Sequence, residues 1–303
     1  MATQVRRRSR HSIAWERRVR ALVVHWSTFR ANRQGMAGLV TLAFFVVVGI
    51  VGPMLVPPSQ IDPATATGPV LAPPSLAYPL GTDNFGRSVL ALMVVGARIS
   101  LLVGFTAAIG AMVLGAVVGI VAGFFGATWI DKILNAFTNW FLVLPWIALA
   151  IALASILGPT LFNVIVVIAL TSWAGTARLV RAQALTVKER PFVERSRALG
   201  ASHWHVITRH VLPNVFPVLF ANTVLMVASA ILAETTLSIL GLGDPNAVSW
   251  GRIIEEAFTN AAMTSGYWWW LIPPGVAILL VTLSFTMVGY ALDEVLNPRL
   301  RSR

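Results

Sequence analysis

Cysteine is absent from this 303-residue chain, so it holds no disulfide framework, no thiol chemistry and no cysteine-ligated metal. Lysine is almost absent. The two that occur, Lys132 and Lys188, follow Asp131 and Val187, so no Gly-Lys-Ser/Thr phosphate loop exists and the chain cannot be its own ATPase. Its five histidines, His11, His25, His203, His205 and His210, form no His-Glu-x-x-His motif. His203 and His205 are two apart, which puts them on different sides of a helix, so they read as surface residues rather than metal ligands. No serine or acid pair sits in a hydrolase-like setting, and neither catalysis nor a cofactor is expected of this chain. Charge is scarce as well: 12% of residues are charged, 56% are hydrophobic and the mean hydropathy is +0.75. That composition describes an all-α integral membrane protein rather than a soluble domain.

Apolar runs near the roughly 20 residues that cross a hydrocarbon core predict six spans. They are Met36 to Val56, Ser100 to Val121, Thr138 to Leu157, Leu161 to Ala177, Val215 to Thr236 and Leu271 to Leu292. Six spans put both termini on one side. Residues 1–35, 122–137, 178–214 and 293–303 would share that side, and they hold 20 of the 23 Lys plus Arg. The other side keeps Arg87, Arg98 and Arg252, so both termini are expected in the cytoplasm and the protein in the cytoplasmic membrane. The net charge of +11 is then a topology signal, not a nucleic-acid footprint, with Arg6, Arg7, Arg8 and Arg10 placed to lie against anionic lipid. The first apolar run is longer than a signal h-region and is expected to stay in the membrane as residues 36–56.

Eight of the 17 prolines fall from Pro53 to Pro79, so residues 57–98 read as an irregular external loop. Thr82 or Asp83 would cap a short helix leading from it into the second span. Residues 99–292 form the remaining five-helix core. Ala107, Ala111, Gly115, Gly119 and Gly123 recur every four residues in the second span and give a smooth helical face, suited to packing within the chain or against a second subunit. Trp129, Trp140, Trp173 and Trp268 to Trp270 lie near predicted span ends and read as interface anchors. Glu234 is the one candidate ionisable group inside a span; near the outer end of the fifth, it is either an interfacial carboxylate or a residue lining a permeation path.

The polar, basic island from Arg178 to Pro213 reads as two short helices hinged at a glycine. Pro191 suits a first helical turn, Leu199 is the last good helical position, and Gly200 can take the positive φ that ends the helix. Ser202 would cap a second helix running to Leu212 and stopping at Pro213. Phe192, Val193, Ser196 and Leu199 share one side of the first helix, and Trp204, Ile207, Thr208 and Val211 one side of the second. Each would offer an apolar edge within a charged surface.

The run from Glu194 to Gly200, ERSRALG, followed by Leu212 and Pro213, resembles the cytoplasmic loop of ATP-binding-cassette importer permeases, with Arg195 and Ser196 in place of two alanines. LGTDNFGRSVL (Leu80 to Leu90), GARISL (Gly96 to Leu101), LSILGLG (Leu237 to Gly243), SWG (Ser249 to Gly251) and NPRL (Asn297 to Leu300) are similar, in order, to the peptide-type branch serving dipeptides, oligopeptides, nickel chelates and haem. Ser88 stands where that branch usually has Asp. The resemblance implies a type I importer permease fold, similar to the second permease of dipeptide systems. It implies pairing with a related permease, two cytoplasmic ATPase subunits or domains, and an extracytoplasmic substrate-binding protein. Phe192, Val193, Glu194, Ala198, Leu199, Gly200, Leu212 and Pro213 would carry the coupling to the ATPases. The rival class is a secondary carrier or channel working without ATPases, against which the scarcity of intramembrane charge speaks.

Overall fold

The computed structural model describes residues 23–296. The arginines at 6, 7, 8 and 10 and the motif at Asn297–Leu300 lie outside them. Among the described residues the structure is helical, without a β-strand, and its one isolated bridge pairs Thr82 with Ser88. Five helices are long and apolar enough to cross a membrane, or six spans if a sharply bent pair counts as one.

Helix α1 (Arg33–Leu55) starts where the Asn32 side chain accepts the Gly35 N–H, and it ends ahead of Pro57 and Pro58. Its glycines let it lie close along its neighbours: a Cβ on Gly38 would meet the Ser284 carbonyl at 2.8 Å. The next long helix, α2 (Val89–Phe124), begins well before the predicted Ser100. Its cap is Ser88, whose hydroxyl accepts the Ala91 N–H, not Thr82 or Asp83. Ser and Asp are both good N-caps, so Ser88 can start this helix as an Asp at that position would. Thr82 and Asp83 are instead buried within the proline-rich loop. Thr82 accepts the Ala72 N–H, and its carbonyl receives the Trp269 indole N–H at 3.2 Å.

The predicted third span is two helices, α3 (Trp129–Val143) and α4 (Trp146–Leu157), bent by 92° at the break. Pro145 is the cause. It has no N–H to donate and forces the preceding residue out of the helical region, and Leu144 accordingly sits at φ −67°, ψ 133°. Helix α5 (Leu161–Lys188) runs beside α2 along the small-residue stripe. Gly115 lies under Trp173 and Thr176, Gly119 under Ala177 and Val180, and Gly123 under Arg181 and Ala184. Added Cβ atoms at Gly115 and Gly123 would sit 2.6 Å from Thr176 Cβ and Ala184 Cβ, and Ala107 and Ala111 are fully buried. This stripe therefore packs inside the chain.

After the short α6 (Pro191–Ala198), a single helix, α7 (His203–Ile239), spans 37 residues. Leu212 and Pro213 do not stop it. A π segment, Ile207–Val211, precedes them, and the Leu212 N–H bonds the Ile207 carbonyl, so the ladder shifts by one residue where the proline would break it. The amphipathic α8 (Trp250–Thr259) and the last span, α9 (Trp268–Leu296), complete the chain. Trp173, Trp269 and Trp270 are buried rather than anchored at an interface, because they fill gaps between helices, whereas Trp129 and Trp140 are exposed. One apolar core, around Phe45, Leu92, Trp250, Trp270 and Phe285, ties α1, α2, α7, α8 and α9 together; another, around Ile120, Phe124, Val187 and Val215, holds the end that carries the basic island.

Candidate functional site

The island folds as two short helical arms on a tight hinge. Pro191 opens α6 after an extended Arg190, and the helix closes with Gly200 at φ +83°. The Gly200 N–H bonds the Arg197 carbonyl at 2.9 Å and the Ala201 N–H bonds the Ser196 carbonyl at 3.1 Å, the paired bonds of a glycine helix stop. Two residues on, the Ser202 hydroxyl accepts the His205 N–H and starts α7.

Side chains from both arms hold the hinge against the bundle. Val193, Val206 and Val211 are fully buried in the core that contains Phe124 and Val187. Val193 is thus anchored to its own chain and is not available at a docking edge: on an eight-residue helix lying on the bundle, one of its apolar positions must face inward. Arg197 lies over the Phe124 ring at 4.9 Å, and His203 packs edge-on against Phe124 and Phe125. Ser196 is half-buried. Glu194, Ala198 and Phe192 are exposed, as are Leu212 and Pro213 at the π segment. Leu199 is 83% exposed and Trp204 74%, large apolar side chains flanking a glycine with nothing within 4 Å of where its Cβ would be.

Beside this platform an ion pair that the sequence reading did not single out fixes the neighbouring helices. Arg181 grips Asp131 with two bonds, at 2.6 and 2.9 Å, tying α5 to the start of α3. Asp131 also accepts the Ala127 N–H at 3.0 Å, so its carboxylate is held from two sides.

At the other end of the molecule three sequence motifs meet. Glu234, 3% exposed, accepts hydroxyls from Ser238 at 2.8 Å and Ser249 at 2.6 Å. It is therefore neither an interfacial carboxylate nor a path-lining group, because α8 covers it. The Trp250 N–H donates to Ser100 Oγ at 3.0 Å and its indole N–H to the Met93 carbonyl at 2.9 Å. Gly96 and Gly251 permit the approach: a Cβ on Gly251 would stand 2.8 Å from Thr235 Cα. Above this latch, Arg87 binds both Asp83 and Glu256 and so closes the proline-rich loop onto α8, while Arg252 binds Glu255 and Glu256 along α8 itself.

Residues 115–302 match the family described as the binding-protein-dependent transport system inner membrane component, and residues 22–74 match the N-terminal TM domain of oligopeptide transport permease C. A dipeptide transport system permease protein DppC of Alkalihalophilus pseudofirmus is 34% identical over 276 residues, covering 90% of this chain and 88% of that one. Its counterpart in Bacillus subtilis is 36% identical, with 91% and 85% covered. A solved inward-facing MetNI methionine ABC transporter superposes with a TM-score of 0.51 at 20% identity over 70% of this chain and 97% of that one, a likeness of fold.

Proposed function

The chain belongs to the family of binding-protein-dependent transport system inner membrane components, and on that premise we propose that it is the membrane-spanning half of an ATP-driven peptide importer. It pairs with a second, related permease, rests on two ATPase subunits or domains, and receives its cargo from an extracytoplasmic binding protein. Residues 1–35, 122–137, 178–214 and 293–303 face the cytoplasm and 57–88, the stretch ahead of α2, the outside, an orientation that the distribution of Lys and Arg supports. The cargo is a di- or oligopeptide: the relatives at 34% and 36% identity are named for dipeptide transport, and the family matched at residues 22–74 for oligopeptide transport.

The observation that carries this reading is the exposure of Leu199 and Trp204 at 83% and 74% on an otherwise polar, basic end. Apolar side chains of that size on a rigid hinge are suited to a protein groove. Their motion has a direct route across the membrane. Helix α7 begins at the hinge and ends beside the Glu234 latch, a rod of about 55 Å at 1.5 Å per residue. A pull on α6 and the head of α7 by closing ATPases would move the outer end with the inner one. A self-coupled carrier would need an ionisable group open to its path in the membrane, and Glu234 is buried beneath α8.

The test uses reconstituted complexes of verified subunit content, with Leu199→Glu and Glu194→Lys in this chain. Both variants should assemble, and peptide-stimulated ATP hydrolysis and uptake should fall together. Full stimulation and uptake in both would leave the island as a topology-setting loop and return the choice to the carrier class.

A further inference from the structure

Most hydroxyls in the spans are already spent on their own helix. Thr171, Thr223, Thr282, Ser284 and Thr286 each donate to a carbonyl four residues back, at 2.6 to 2.9 Å. Ser172 on α5 and Ser229 on α7 differ: both are exposed, and neither hydroxyl has a hydrogen-bond partner among the described residues. They line one recess of about 160 Å³, with Ala107, Ala111, Ile168 and Met226 as its apolar walls. A polar seam leads away from it. Asn222 donates to Thr176 Oγ1 at 3.1 Å, and the Thr176 hydroxyl points to the Met226 sulfur at 3.0 Å, while the Asn222 carbonyl receives no donor among the described residues. Gly175, exposed and with nothing within 4 Å of its missing Cβ, leaves the seam open beside Ser172.

Depth makes this placement informative. The recess sits near the midpoints of α2 and α5, far from either helix end and so at the level of the bilayer centre. An open hydroxyl facing hydrocarbon there gains nothing and loses its hydrogen bonds, so exposed polar side chains at that depth belong to a water-filled or substrate-filled passage.

We infer that the α5–α7 seam formed by Ser172, Ser229 and Asn222, the last held in place by the buried Thr176, is a binding surface for peptide backbone at the midplane of the translocation path, an inference resting on the peptide-importer reading above. The chemistry fits the backbone rather than side chains: hydroxyls and a carboxamide offer donors and acceptors to amide N–H and C=O, and no charge selects among residues. Gly175, without a side chain, keeps the wall beside Ser172 low enough for an extended chain to lie against it.

Because the chain lacks cysteine, Ser172→Cys and Ser229→Cys can be made singly, with Leu283→Cys on the exposed face of α9 as the lipid-facing control, in complexes whose other subunits are cysteine-free. Labelling by a membrane-impermeant cationic thiol reagent is followed with and without a trapped nucleotide, and with and without a dipeptide delivered by the binding protein. Positions 172 and 229 should label in one of the two nucleotide states and be protected by dipeptide, while position 283 reacts only with a membrane-soluble maleimide. Ser172→Val with Ser229→Val should cut uptake about 3- to 10-fold, the loss of one or two hydrogen bonds, with ATPase assembly intact. If positions 172 and 229 behave like 283, or react with neither reagent, the seam faces lipid or a packed subunit and the inference is overturned. Uptake by the unlabelled complexes separates the two levels: failure of ATP-dependent dipeptide uptake refutes the importer reading, whereas normal uptake with an unlabelled seam refutes only this site.

Discussion

The two ends of the molecule handle exposed chemistry in opposite ways. At the proline-rich end, Asp83 and Arg87 are buried and paired, Glu256 and Arg252 close over them, and Glu234 is sealed by two serines. At the basic end, Leu199 and Trp204 stand in the open, while three buried valines, Arg197 and His203 hold the hinge down. A folded chain buries large apolar side chains and exposes charge, so each end departs from that rule in its own way: the first buries charge in a paired cluster, and the second sets two large apolar side chains beside a hinge.

The sharpest way to break that comparison is to remove the central cation of the closed end. Arg87→Ala leaves Asp83 buried without its partner, and breaking a buried pair from one side costs about 3–5 kcal/mol. Thermal unfolding of the purified chain in detergent should show that loss, whereas Leu199→Ala, which uncovers almost nothing, should be near neutral. Equal melting of the two variants would mean that the ends are not differently built. Replacing Asp83 with Asn alongside Arg87→Met should recover part of the stability, because no uncompensated charge is then left at that position.

The hinge should show the converse, a modest cost in stability with a large cost in function. Gly200 has open space around it, so a side chain there meets only the backbone penalty of φ +83°, about 1–2 kcal/mol. Gly200→Val is therefore expected to insert and fold but to lose peptide-stimulated ATP hydrolysis in the assembled complex. Asn tolerates the left-handed region better than other non-glycine residues, and Gly200→Asn should retain most of the stimulation. Equal losses in both variants would point to a contact made by the glycine itself rather than to its conformation.

How far the sequence reached follows the distance over which each signal acts. The spans, the glycine stop at Gly200, the start at Ser202 and the order of the motifs were legible because each is written in fewer than about 20 neighbouring residues. The 92° break at Pro145 was legible too, but the apolar run around it masked the proline's meaning. What escaped is pairwise and remote. Asp131 meets Arg181 from 50 positions away and Arg87 meets Glu256 from 169, and neither residue type at its own position announces a partner. Glu234 looked interfacial because its two serines come from different sides of a bend, and Val193 looked like a docking residue because an apolar edge does not say which body it faces. The latch could have been suspected from SWG and LSILGLG, whose small residues are those that let α8 and α7 approach.

The smallest effect tests whether the open end depends on its local caps. The Ser202 hydroxyl accepts the His205 N–H and is the only side chain among the described residues that caps the head of α7, where α6 and α7 are separated by a few residues. Losing an N-cap typically costs about 1 kcal/mol, and Ser202 is exposed, so Ser202→Ala removes the bond without opening a cavity. Ser202→Asp keeps an acceptor at the same place and adds a charge that favours a helix N-terminus. Hydrogen exchange at residues 203–206 should therefore quicken in the alanine variant by roughly the five-fold that 1 kcal/mol represents, and stay level or slow in the aspartate variant. The change should be confined to the hinge, because the three buried valines continue to hold both arms. Were exchange to rise equally throughout α7 as far as Glu234, the cap would be governing the whole rod, and the two ends would be one cooperative unit instead of a closed end and an open one.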